Sequence, residues 1–105
     1  MTDERLTSEL AVRGMGWRLA PDRYLKSGRS WIPRWRFRPL VDLGDAFRLL
    51  ESVTDDYSLL AKPGGVFTVI VRVAARVGKD TGEPKARVIC LAIARALGIN
   101  VEANG

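Results

Sequence analysis

The sequence predicts an α+β domain in which a small, mostly antiparallel sheet is packed by three helices. Three observations point there. Apolar residues recur at helical spacing in three separated stretches, residues 3–13, 43–53 and 84–97. Two apolar runs, 57–62 and 66–75, are joined only by Pro63-Gly64-Gly65, the composition of a tight hairpin turn. Residues 34–38 alternate basic with aromatic side chains, which is strand periodicity. At 105 residues, with 47% hydrophobic and 28% charged side chains, residues 1–105 have the size and composition of a single folded domain.

In chain order, the first helix takes Thr2 as its cap, and Asp3 and Glu4 suit the positive end of its dipole. Leu6 and Leu10 share its inner face, Gly14 stops it, and Met15-Gly16-Trp17 folds back onto the core. Polar residues with Pro21, Gly28 and Ser30 then make 18–33 an irregular, exposed and basic excursion. In the alternating stretch Trp35 and Phe37 fall on one side and Arg34, Arg36 and Arg38 on the other. If the arginines face water, both aromatics face the core. Pro33 and Pro39 bracket this stretch and leave it short, at a sheet edge.

Asp42 caps the second helix, in which Leu43, Ala46, Phe47, Leu50 and Val53 are in helical register, and Asp55-Asp56 ends it. In the strand 66–75, Phe67, Val69, Val71 and Val73 line one face, and Val66, Thr68, Ile70 and Arg72 line the other. Both faces are largely apolar, so this should be the central strand, covered on both sides. GKDTGEPK reads as a polar loop into the last helix, where Pro84 suits a first turn and Gly98 a stop. Its run VICLAIA is apolar nearly all round. That helix should be deeply packed, with Arg87 and Arg95 reaching the surface.

Four features in this order form a pattern: Gly14-Met15-Gly16-Trp17 after the first helix; Pro39 and Asp42 ahead of a helix carrying Phe47; a hairpin; and a final helix Val88-Ile89-Cys90-Leu91-Ala92-Ile93-Ala94 running to Leu97-Gly98. The pattern spans Leu6 to Ile99 and resembles the phage ABA sandwich domain family of small phage and prophage proteins. The resemblance implies a helix–sheet–helix sandwich encoded by a phage or prophage, and it brings no biochemical activity with it. The chain departs from the family between Arg18 and Arg38, where members usually take a shorter or less basic route, and at Leu40-Val41, where Ser or Thr often stands ahead of the Asp.

The charge is concentrated in that same stretch. Seven basic residues between Arg18 and Arg38 face one acid, Asp22, so the segment carries +6 of a net +5 and the remainder sums to −1. Attraction to phosphate or to an acidic partner should be local.

The chemistry open to the chain is narrow. It has no histidine, which removes histidine acid–base catalysis and histidine metal ligation. Cys90 is the only cysteine and lies in an apolar run, so no disulfide, thiolate metal site or activated nucleophile is expected. Asp42 and Asp45 suit helix capping, Asp55-Asp56 a turn, and neither Gly64-Gly65 nor the stretch from Gly78 to Gly82 has the spacing of a phosphate loop. We therefore expect no enzyme, no metal and no cofactor. The acidic, amphipathic start MTDERLTSEL is unlike a signal peptide, and no apolar run nears the roughly 20 residues of a membrane span. The expectation is a soluble protein of the host cytoplasm with no membrane partner.

Function by binding remains. The leading expectation is a small phage or prophage accessory protein that occupies the surface of a host or phage macromolecule, a protein first of all, and so modulates a host process such as defence. The alternative is nucleic-acid binding, with arginines on phosphates and exposed aromatics on unpaired bases. A second alternative is sequestration of a small anionic ligand such as a nucleotide. Candidate binding residues are Tyr24, Lys26, Arg29, Trp31, Arg34, Arg36 and Arg38. Tyr24 and Trp31 lie outside the alternation and are the stacking candidates. An exposed Trp31 and a short edge strand would also suit a homodimer.

Overall fold

In the computed structural model, which describes residues 2–101, helix α1 (Asp3–Arg13) starts where the sequence places its cap. The Thr2 hydroxyl accepts the Arg5 amide at 3.1 Å, satisfying one of the helix's orphan donors. Gly14 ends the helix against α2 (Leu43–Val53), so tightly that a Cβ on Gly14 would stand 2.6 Å from the Leu49 side chain. The Asp42 carboxylate caps α2 by accepting the Asp45 amide at 3.0 Å, and Asp45 in turn accepts the Arg38 amide at 2.9 Å. At the far end of α2 the Thr54 hydroxyl donates to the Arg72 carbonyl and accepts the Asp56 amide, stitching helix to sheet.

The larger sheet is antiparallel, with strand order β4 (Asp56–Ala61), β5 (Phe67–Val73), β6 (Arg76–Gly82). Pro63-Gly64-Gly65 makes the first turn as expected, with both glycines at positive φ. The third strand departs from expectation. In place of a longer β5 and a polar loop there is a hairpin turning at Ala74-Ala75, with Val73 opposite Arg76 and Phe67 opposite Gly82. The turn uses alanine at positive φ where glycine or asparagine is usual, so it carries no compositional signal. Strand β6 itself is short of apolar residues, and backbone pairing to β5 defines it.

β5 is central, as its composition predicts, but only one of its faces is covered. Phe67, Val69 and Val71 are buried together with Ile89 and Ile93 of α3 (Lys85–Ala96), Leu49 and Leu50 of α2, and Leu6 and Leu10 of α1. Each such aliphatic side chain contributes about 2 kcal/mol by leaving water. The opposite face carries no helix among the described residues and is largely open: Leu60 and Val77 are more than half exposed there, and Ser58, Arg72 and Lys79 are also exposed, while Thr68 is buried beside Thr81 with their hydroxyls 3.0 Å apart. The expected helix–sheet–helix layering is therefore not seen among the described residues. Helix α3 is apolar nearly all round because it lies between the sheet and α2, with eight of its twelve residues buried. Gly98, at φ +79, follows its end.

The excursion 18–33 is ordered, which corrects the expectation of irregular chain. It forms a second antiparallel sheet of β1 (Arg18–Leu19), β2 (Arg23–Leu25) and β3 (Trp31–Pro33). Strands of two and three residues are too short to show a period. They are held instead by a separate small core of Ala11, Tyr24 and Phe37, against which Met15, Trp17 and Ile32 pack. No helix among the described residues is long and apolar enough to cross a membrane.

Candidate functional site

The second sheet and the turn that follows it carry the basic segment. Register sets which side chains share a face. Tyr24 pairs with Ile32, and both face inward; Leu25 pairs with Trp31 and Arg23 with Pro33 on the other face. Tyr24 is thus 2% exposed, in edge-on contact with Phe37 at 5.9 Å and tilted against Trp17 at 6.0 Å. This corrects its expected role as an exposed stacking residue: it belongs to the aromatic core, because one step of a strand inverts the face.

Trp31 is half exposed, as expected. The Arg23 guanidinium lies 4.2 Å from its ring centre, a diagonal cross-strand contact of cation–π type. Asp22 fixes that guanidinium through two hydrogen bonds of 2.9 and 3.0 Å. The hydrogen bond to Arg23 holds the Asp22 carboxyl below the usual carboxylate range, and Asp22 raises Arg23 in return. The single acid of the segment is thereby committed to one arginine.

Past Pro33 the chain does not continue as a strand. Arg34–Arg36 form a 3-10 turn closed by the Phe37 amide on the Arg34 carbonyl. In such a turn residues three apart lie one above the other, so Arg34 and Phe37 point inward together and Trp35 and Arg36 point out. Phe37 is buried as expected. Trp35 is not: at 73% it is the most exposed large apolar side chain among the described residues. The alternation Arg-Trp-Arg-Phe-Arg imitates a half-buried strand, and the prolines at 33 and 39 leave too few residues to build one.

The remaining candidates neighbour these two tryptophans in sequence and differ in setting. Arg34 is half-buried, with its guanidinium 5.5 Å from the Tyr24 ring centre and its Nε buried without a hydrogen-bond partner. Arg36 and Arg38 are exposed; Arg38 is anchored through its amide on Asp45, leaving its side chain outside. Lys26 and Arg29 are exposed in the β2–β3 turn, closed by the Lys26 amide on the Ser30 carbonyl at 2.9 Å, and the Lys26 ammonium lies 5.5 Å from the Trp17 ring. Arg18, which the sequence pattern does not single out, is exposed on β1. None of Arg18, Arg29, Arg36 and Arg38 appears in an ion pair among the described residues, whereas Arg23, Arg48, Arg72, Arg87 and Arg95 each pair with an aspartate. A cleft of about 290 Å³ opens beside Trp17, between Met15–Arg18 and Leu25–Ser27.

The arrangement supplies positive charge and exposed indoles. Cys90 is fully buried, and loss of solvation pushes its thiol up to about 12, so it is neither accessible nor ionised near neutrality. Among the described residues no three acidic, cysteine or histidine side chains gather where they could hold a metal ion.

No family model matches this chain, and no curated protein matches it. Among solved structures, the crystal structure of a phage protein from Bacillus cereus ATCC 14579 is similar to it, with a TM-score of 0.70 at 18% identity over 91% of this chain and 92% of that one. At that identity the likeness is one of fold.

Proposed function

We propose that the protein is a non-catalytic phage or prophage accessory protein that acts by binding a macromolecule of its host or phage, through the face built by β2, β3 and the turn 34–36. The observation that carries this is Trp35, 73% exposed between two arginines on a short turn that directly follows the strand bearing half-exposed Trp31. A monomeric domain gains nothing from holding a large indole in water. Exposed aromatics and arginines are the side chains that dominate binding energy when a partner covers them. The fold shared with a phage protein supports the origin. Interference with a host process such as defence is the wider role we infer from that origin.

The test is affinity capture from host extract with the wild-type chain and with an Arg29→Glu/Arg36→Glu/Arg38→Glu variant. All three side chains are exposed, so the variant should fold normally. The same partner should be enriched by the wild type and lost by the variant. Equal recovery by both would remove this face as the binding surface.

A further inference from the structure

We propose that the partner of this face is single-stranded nucleic acid, with phosphates held by Arg29, Arg36 and Arg38 and an unpaired base stacked on Trp35; this rests on the binding function proposed above and names its ligand.

Charge comes first. Arg29, Arg36 and Arg38 are exposed and without ion pairs among the described residues; of the acids near them in sequence, Asp22 is occupied by Arg23, Asp42 caps α2, and Asp45 accepts the Arg38 amide and pairs with Arg48. The segment therefore carries an excess of positive charge, which favours binding a polyanion by counterion release.

The aromatics decide which polyanion. Trp35 projects from a turn whose neighbours are both arginines, and Trp31 carries a guanidinium on its ring. An interface with a folded protein also enriches tryptophan and arginine, but it sets them in an apolar, water-excluding centre. Each exposed indole on this face is flanked by cations instead. That pattern, flat π surfaces interleaved with phosphate-binding charge, fits bases that are free to unstack. In a duplex the bases are stacked on one another and closed to an indole, whereas in a single strand they are free to stack on Trp35. Rigidity adds to the case, since the Asp22–Arg23–Trp31 chain of contacts fixes one indole and the packing of Arg34 and Phe37 fixes the turn that carries the other.

The experiment titrates the full-length protein into fluorescent single-stranded DNA and RNA of about 16 nucleotides, and into a duplex of the same length, between about 50 and 200 mM salt. Wild type should bind a single strand, DNA, RNA or both, with affinity falling steeply as salt rises, and should bind the duplex at least about 10-fold more weakly. Trp35→Ala should lose at least about 10-fold in single-strand affinity while keeping the same salt dependence, because it removes a stack and no charge. Arg29→Glu/Arg36→Glu/Arg38→Glu should abolish binding, and Lys79→Glu on the open face of the larger sheet should leave it unchanged. Absence of binding at the lowest salt, duplex affinity equal to that of the single strand, or a Trp35→Ala protein that binds as well as wild type would each overturn the proposal. A failure of this kind, alongside a captured host protein that the triple variant no longer retains, would overturn the ligand and leave the binding function standing.

Discussion

Gly78 of β6 lies directly beneath Ala92 of α3, so close that a Cβ on Gly78 would overlap the Ala92 carbonyl oxygen and stand 2.5 Å from the Ala96 amide nitrogen. Backbone meets backbone here, and no rotamer change could make room. Gly78→Ala should therefore cost about 3 kcal/mol, near the upper end of overpacking penalties. Gly28, at φ +66 in the β2–β3 turn, has open space around it, with nothing within 4 Å of where a Cβ would stand, so Gly28→Ala meets only backbone strain and should cost about 1 kcal/mol. Urea unfolding of the two variants would compare them directly. Equal losses would mean that α3 can shift away from the sheet.

The same helix is tied to β6 by charge. The Arg95 guanidinium donates to the Asp80 carboxylate at 2.6 Å and to the Lys79 carbonyl at 2.7 Å, and the Asp80 side chain is only 14% exposed. Hydrogen bonds to partly buried charges are worth more than surface pairs, and removing one partner strands the other. Asp80→Ala should cost about 2 kcal/mol. In a double-mutant cycle with Arg95→Met, the second substitution should cost clearly less once the first is made. Strict additivity would show that the two side chains contribute independently.

Two aromatics in one turn, two residues apart, should respond oppositely to truncation. Phe37 is buried against Tyr24 and Trp17, with its ring centre 5.0 Å from that of Trp17, and Phe37→Ala should cost about 3 kcal/mol. Trp35→Ala removes a side chain that touches little and should change stability by no more than about 0.5 kcal/mol. Thermal or urea denaturation measures both. A large loss at Trp35 would restore the strand geometry in which its indole is a core residue.

That pair also marks where sequence reasoning stops. Long amphipathic elements are legible from their own residues: the caps at Thr2 and Asp42, the helix bounds Asp3–Arg13 and Leu43–Val53, and the centrality of β5 all follow from local chemistry. What escapes depends on pairing and on context. β6 exists because β5 offers it hydrogen bonds, although Lys79, Asp80 and Thr81 favour a loop by composition. The small sheet exists because Tyr24, Phe37 and Ala11 make a core of their own across a long sequence separation. For the candidate site, the basic residues and the exposure of Trp31 are legible in the sequence. The fates of Trp35 and Tyr24 are the reverse of those expected, because a 3-10 turn and a strand place alternate residues differently and five residues do not distinguish them.

Cys90 supplies a pH-dependent prediction with a definite sign. Burial among apolar side chains raises its thiol to about 12, an effect that the nearby Arg87 charge only partly offsets. In the unfolded chain the same thiol ionises near about 8.5. Between these values the folded state holds a proton that the unfolded state releases, so stability falls as pH rises, by up to about 1.4 kcal/mol per pH unit. Below about pH 8.5 both states are protonated and the effect vanishes. Cys90→Ala loses packing at neutral pH but has no thiol to ionise. Its deficit relative to wild type, measured by urea unfolding at about pH 7 and again near pH 10, should shrink by about 2 kcal/mol. Comparing the two proteins at each pH cancels the lysine and tyrosine titrations they share. A deficit that stays constant across this range would mean that the thiol is solvated in the folded protein, and an aromatic disulfide reagent would then label it without prior unfolding.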